Sequence, residues 1–217
     1  YNTELGWDWS GARASLGANI YHMYYVNQLV LNGQINDVGA YTRINIPKSY
    51  RAGIEVQSQW QPLEKLEIIT NLTWSQNRVR KFTDYVDDWD AGGQIPVEYR
   101  NTSLSFSPQW VNNQQIRYYL QGNKEASRNI LVQWAWNHVS RQNLDNTQQK
   151  EASIPGYWVN DLALIGSIPV KNGPQIGWNI QVQNLWNTQY TTNGWVYRFS
   201  SAGYDPRPDD PYAQLES

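Results

Sequence analysis

The chain has 217 residues, enough for one sizeable domain or a portion of a larger one, and its formal net charge of −2 gives no basic field for a nucleic-acid partner. It contains no cysteine, which removes disulfides and thiolate metal sites, and no apolar run reaches the ~18–20 residues that a helical membrane span requires. Twelve Trp and 15 Tyr stand against three Phe, a balance suited to positions where oil meets water, because Trp and Tyr carry a polar tip on an apolar body.

Eight segments alternate apolar with polar residues, the period-two pattern of strands that are greasy on one face only. The first sets Leu5, Trp7 and Trp9 against Glu4, Gly6 and Asp8. The second sets Ala12, Ala14, Leu16, Ala18, Ile20, Tyr24 and Val26 against Arg13, Ser15, Gly17 and Asn19. The third opposes Ala52, Ile54, Val56 and Trp60 to Arg51, Gly53, Glu55 and Gln57, and the fourth Leu66, Ile68, Leu72 and Trp74 to Glu67, Asn71 and Thr73.

The fifth and longest carries Leu104, Phe106, Trp110, Ile116, Tyr118 and Leu120, but Pro108, Asn112 and Gln114 dilute its middle, which predicts a bulge or break there. The sixth uses Ile130, Val132, Trp134 and Trp136, the seventh Trp158, Leu162, Leu164 and Ile168, and the eighth Ile176, Trp178, Ile180 and Val182.

Such a pattern fits a soluble sandwich as well as a transmembrane barrel, because each has one dry face and one wet face. Connector lengths separate the two. Short links at Ser10-Gly11, Gln61 to Lys65, Gln121 to Ala126 and Lys171 to Pro174 alternate with long ones near 28–48, 78–100 and 141–154. Tight turns at one end and long loops at the other are the habit of outer-membrane barrels. The expected fold is therefore all-β, an antiparallel up-and-down transmembrane barrel with its greasy face outward.

The segments YNTELGWDW (1–9), residues 19–55, NLTWSQNRV (71–79), SLSFSPQW (103–110), RQNLDNT (141–147), YWVNDLAL (157–164) and VQNLWNTQYTTNGW (182–195) resemble the C-terminal part of the barrel of TonB-dependent outer-membrane receptors, particularly the Bacteroidetes-type branch. The resemblance spans essentially the whole chain. It implies about eight strands of a barrel of about 22, with residues 1–217 as a C-terminal portion whose final strand, plug domain and TonB box lie elsewhere. It also implies a bacterial outer-membrane location and energised import of a scarce ligand, an iron-siderophore first, with haem, cobalamin and oligosaccharide as alternatives. The implied partners are membrane lipid and lipopolysaccharide, the barrel's own plug, the TonB complex and the small-molecule ligand.

On that frame Ile54, Val56, Leu72, Trp74, Leu104, Phe106, Val132, Trp134, Leu162, Leu164, Ile176, Trp178, Ile180 and Val182 are expected to face lipid. Glu4, Asp8, Arg13, Arg51, Glu55, Glu67, Arg117 and Asp161 are expected to line the lumen, where unpaired charges would be costly. In the loops, Tyr41, Trp89, Tyr99, Trp195, Tyr197 and Arg198, together with Tyr204, Arg207 and Tyr212, combine aromatic faces with cationic heads that suit a catecholate or a sugar, against the plainer reading that they pack on neighbouring loops. The acidic stretch DYVDDWD (84–90) reads as a solvated loop rather than a calcium site, since it lacks the glycine spacing and closing Glu of an EF-hand.

His22 and His138 read as interfacial residues, and neither a metal nor a cofactor is expected. No Ser, His and acid set assembles, so an enzyme is not expected. The competing reading is a soluble, aromatic-rich, carbohydrate-binding β-sandwich, which would bury the greasy face between two sheets.

Overall fold

The computed structural model describes residues 1–171 and 173–202; Tyr204, Arg207 and Tyr212 lie outside them. Those residues hold strands and turns and no helix. The strands are β1 (Asn2–Ser10), β2 (Ala14–Ile35), β3 (Tyr41–Leu63), β4 (Leu66–Asp88), β5 (Gln94–Ser103), β6 (Trp110–Gln121), β7 (Asn129–Val139), β8 (Gln142–Asn143), β9 (Ser153–Ile154), β10 (Tyr157–Pro169), β11 (Gln175–Val182) and β12 (Phe199–Ser200). One sheet runs β1-β2-β3-β4-β6-β7-β10-β11, with β5 and β12 also on β4, and it is not closed. Its neighbours pair antiparallel, apart from the two-residue parallel bridge of β12 to β4.

Directly paired residues share a face, so the register assigns each side chain to a side. Trp7 pairs with Ala18 and Ala18 with Val56; Ile54 pairs with Trp74; Ile116 pairs with Trp134, Trp134 with Leu162 and Leu162 with Val182. The apolar positions of the eight predicted runs that lie within strands thus join into one face crossing the sheet. The other face carries Asp8 beside Gly17, Asn19 beside Glu55, Arg51 beside Asn77 and Glu67 beside Arg117.

Among the described residues no second sheet lies against the apolar face, and the other ladder joins the two-residue strands β8 and β9. Leu5 is 71% exposed and Ile180 65%. The buried two-layer core that a sandwich requires is not formed, and that reading is set aside.

The long links differ from expectation. The turns at 11–13, 64–65 and 122–128 are short, and β10 and β11 are likewise close in sequence, but at the opposite end much of 28–48 and 78–100 is strand, with links of only 36–40 and 89–93. β2, β3 and β4 have 22, 23 and 23 residues. Since ~9–11 tilted residues cross a bilayer, about half of each strand stands beyond the apolar band, roughly 40 Å of it at ~3.3 Å per residue.

Parity reverses where these hairpins leave the band. Ser49 pairs with Val79 on the polar face, yet Ile46 and Phe82 pack with Val79, Val30 and Leu104 in a single apolar cluster. The reversal falls where Asn27 and Asn101 take φ of 59° and 53°, left-handed values that Asn tolerates better than most residues, and where the β3–β4 register shifts between Lys48 and Ser49. Below this line the even residues of β2 and β3 are on the apolar face; above it Val30, Ile44 and Ile46 turn inward.

Residues 104–109 leave the sheet altogether. Ser103 pairs with Arg78 and Trp110 with Trp74, so the ladder has room there only for partners of Ser75, Gln76 and Asn77. The surplus folds over the polar face, held by Leu104 N–H to Asn77 O at 3.0 Å and Ser75 N–H to Gln109 O at 2.8 Å. Leu104 and Phe106 therefore do not belong to the lipid-facing set: Leu104 is 1% exposed inside the protein, and Phe106, at φ 46°, packs on a second cluster of Leu144, Ala152, Ile154 and Val196. The break predicted at Pro108 is present, and its excess length sends both side chains inward. Both apolar clusters are thus built from loop-end segments.

Candidate functional site at the loop end and inner wall

Beyond the apolar band, the hairpin β2–β3, the hairpin β4–β5 and the turn 144–152 are tied together by residues 193–200. Tyr41 OH lies 2.6 Å from Asn193 Oδ1 and donates within 3.0 Å of the Gly194 carbonyl. Val196 N–H bonds Gly33 O at 2.9 Å, and Val196 is buried. Gly33 sits at φ 87°, and a Cβ there would come within 2.6 Å of Asp145 Cβ, so only glycine admits the approach.

Arg198 is the centre of this junction. Its guanidinium reaches Asp84 Oδ2 at 3.1 Å from β4 and also Asp145 and Thr147 from the 144–152 turn. Asp145 is 2% exposed and accepts the Thr147 N–H at 2.9 Å and Thr147 hydroxyl at 2.7 Å. Burial pushes its carboxyl above the usual aspartate range, against the pull of Arg198 and of the Thr147 bonds. Asn146, beside it, donates to Leu31 O at 2.7 Å and accepts from Ser105 N–H at 3.0 Å.

The aromatic residues gather around the same strap. Trp89 stacks on Phe199 with centroids 3.9 Å apart, and its Nε1–H bonds Tyr197 OH at 3.2 Å. Tyr197 OH donates to Asp87 Oδ2 at 2.8 Å, and Asp87 is held below the ordinary carboxylate range by bonds from Gln94 and then Tyr197. Tyr99 stacks on Phe82 at 5.3 Å, and Trp195 is half exposed.

The structure therefore brings Tyr41, Trp89, Tyr99, Tyr197 and Arg198 to one end of the sheet but spends Arg198 largely on internal pairs. The 84–90 stretch is not the solvated loop expected from sequence, since Asp84 to Asp88 end strand β4 and only Trp89 and Asp90 enter the turn: Asp84 and Asp87 accept from the strap, Asp88 caps the amides of Asp90 and Ala91, and Asp90 takes Ser201.

On the polar face, Arg51 and Glu55 line a cavity of about 530 Å³ with Glu4 and Tyr21, overhung by Phe106 and Pro108. Glu67, 1% exposed, takes Gln59, Arg117 Nη1 at 3.2 Å and Lys124 Nζ at 3.0 Å. Asp161 accepts the Asn184 N–H at 2.8 Å. Asp8 lies beside Gly17, and Arg13 sits in the β1–β2 turn past the strand ends rather than on the wall.

His22 stacks on Tyr50 and His138 on Trp158, at 6.0 and 4.1 Å, and among the described residues no three His, Asp or Glu side chains converge on a metal site. Asp145, Asn146 and Thr147 were missed as site residues by sequence reasoning; the signal available was a dense run of turn-forming side chains in LDNT.

The family description "TonB dependent receptor-like, beta-barrel" matches residues 1–185. No curated protein matches the chain in sequence. Among solved structures, the ferric preacinetobactin receptor BauA from Acinetobacter baumannii is 18% identical, with 87% of this chain and 25% of that one covered and a TM-score of 0.60. The siderophore receptor PiuA from Acinetobacter baumannii is 17% identical over 91% of this chain and 26% of its own, at 0.60. The ferric-catecholate import receptor Fiu from K12 E. coli is 19% identical over 91% and 25%, at 0.57. At these identities the likeness is one of fold, and the chain spans about a quarter of the length of each. With the profile match over residues 1–185 and the unclosed antiparallel sheet, the chain belongs to the TonB-dependent receptor-like β-barrel family, whose barrels reside in the bacterial outer membrane.

Proposed function

We propose that residues 1–217 form a C-terminal portion of the barrel wall of an outer-membrane receptor that takes up a scarce ligand, an iron-siderophore first, with energy delivered through TonB. One observation carries the reading: an apolar face crosses all eight lanes of the sheet with none of the described residues forming a second layer on it, while the polar face is the one overlaid by the chain's own 104–109 segment. The first face suits hydrocarbon and the second suits water and a plug. Its lipid-facing set is Ile54, Val56, Leu72, Trp74, Val132, Trp134, Leu162, Leu164, Ile176, Trp178, Ile180 and Val182. Its lumen set is Glu4, Asp8, Arg51, Glu55, Glu67, Arg117 and Asp161.

Ligand arrives at the loop end, where Trp89, Trp195 and Tyr197 offer aromatic surface beside Tyr41, Tyr99 and Arg198. Three resembling structures are named as ferric or siderophore receptors, which supports the iron-siderophore choice over haem, cobalamin or oligosaccharide. Spin labels at Ile54 and Ile180 of the receptor in vesicles should be reached by oxygen dissolved in lipid, and labels at Gln57 and Asn179 by a water-soluble relaxant. Exchange of the two patterns would overturn the orientation. Ferric catecholates, rather than haem or cobalamin, should quench the tryptophan emission of the complete receptor and lose that effect in Trp89→Ala with Tyr197→Ala.

A further inference from the structure

Just above the apolar band, three cations stand abreast on adjacent strands. Lys48 of β3 pairs directly with Lys81 of β4, and Lys81 with Arg100 of β5. Direct partners point to the same side, where like charges oppose folding. Arg80 adds a fourth, its guanidinium 5.2 Å from the centroid of Tyr50, a residue of the apolar face. Glu98 alone answers them, bridging Lys81 and Arg100. Among the described residues neither Lys48 nor Arg80 meets a carboxylate, and all four cations are exposed.

The β3–β4 ladder ends at the Lys48–Lys81 pair. Beyond it the two hairpins diverge, and a cleft of about 680 Å³ opens, lined by Lys48, Arg80 and Lys81 with Asn45 and Tyr85, and by one carboxylate, Asp84, which is already paired with Arg198. The height is defined by β3. From Trp60 to Tyr50, the outward apolar residues span about ten steps of ~3.3 Å, which at a tilt of ~45° is roughly 23 Å, close to the ~25 Å of an apolar band. Lys48 lies two residues beyond Tyr50 toward the loop end of β3, so the cations sit where headgroups begin.

We propose that Lys48, Arg80, Lys81 and Arg100 form an anion site on the outer wall that takes a phosphate monoester, supplied by a phosphorylated lipid headgroup of the outer leaflet. Repulsion along the row supplies the driving force and the fork supplies the room. The proposal rests on the lipid-facing reading of the apolar face.

The complete receptor, reconstituted in phosphatidylcholine nanodiscs with phosphatidic acid, tests it by counting retained lipids in native mass spectrometry. A parallel arm offers inorganic phosphate to the receptor in detergent. Lys48→Gln with Arg80→Gln leaves the Glu98 bridges intact and removes unpaired charge, so folding should persist. Retention should fall at least about tenfold, as expected from loss of charged contacts.

Retained phosphatidic acid lost in the double variant supports the site and a lipid source. Phosphate binding in detergent that the double variant loses, without retained lipid, supports the site with a free anion as its source. Wild-type receptor that inserts but binds neither, or a variant that binds like wild type, overturns the site and leaves the orientation standing. Failure of the wild-type receptor to insert overturns the orientation and the site with it.

Discussion

Arg198 and Asp145 meet where three separate loop-end segments converge, the strap 193–200 bringing the cation to a carboxylate that is 2% exposed. Removing one partner of a buried pair leaves the other charge uncompensated, typically at a cost of ~3–5 kcal/mol. Arg198→Ala should therefore release the strap and raise exchange of the Val196 amide, which is bonded to Gly33, by about a hundredfold or more. Adding Asp145→Asn to Arg198→Ala should restore most of the protection, because the stranded charge goes with it. Equal exchange in the single and double variants would show that Asp145 is not the cause.

The same carboxyl gives the strap an unusual pH response. Burial raises Asp145 above its reference value of 3.8, so between 3.8 and the raised value the folded state holds a proton that the open state has released. Stability from this group is full below 3.8 and is lost as pH rises through the folded value. Asp87 is lowered from 3.8 by Gln94 and Tyr197, so its contribution is present above 3.8 and is lost as pH falls through the lowered value. Val196 exchange, corrected for its intrinsic pH dependence, should slow as pH falls through the raised Asp145 value and quicken again as it falls through the lowered Asp87 value. In Asp145→Asn the slowing should vanish and the acid loosening remain.

Ile54 and Ile180 occupy the apolar face on β3 and β11, five lanes apart in the strand order. Arg at a midplane position of a barrel costs about 2–4 kcal/mol, falling to ~0–1 near the interfaces. Ile54→Arg and Ile180→Arg should each lower the stability of the vesicle-inserted receptor by that midplane amount, read from reversible urea unfolding. Gln57→Arg, on the opposite face, should change it by under ~1 kcal/mol. A large loss at Gln57 with none at the two isoleucines would reverse the inside and outside of the wall.

Strand lanes were legible because each lower segment keeps one period, so Ile176, Trp178, Ile180 and Val182 announce a face without any partner. Above Asn27 that rule fails. Val30 and Ile46 keep even numbers while their side chains turn to the inner side, because a positive-φ residue and a register shift each reset alternation. Leu104 and Phe106 fit the pattern and still fold inward, since alternation says nothing of how many partners the neighbouring strand supplies; counting Ser75 to Asn77 requires the register. The loop aromatics were legible as a group, but their convergence on Arg198 was not, because Asp84 and Asp145 are 114 and 53 positions away from it. Pairings of that range leave no periodic trace.

Glu67 separates a wall contact from a turn contact within one carboxylate. Its Arg117 partner lies on the paired strand, is 32% exposed, and is itself fixed by Gln133 at 2.8 Å and Gln115 at 3.0 Å. Its Lys124 partner comes from the 122–128 turn and is 50% exposed. A charge already oriented by neighbours loses less freedom on pairing, while an exposed lysine is hydrated and mobile. Double-mutant cycles with Glu67→Gln should therefore give about 1–3 kcal/mol of coupling to Arg117→Met, and under ~1 kcal/mol to Lys124→Met. Measured in the refolded receptor by urea titration, a larger coupling to Lys124 than to Arg117 would show that the turn, and not the wall, holds this carboxylate.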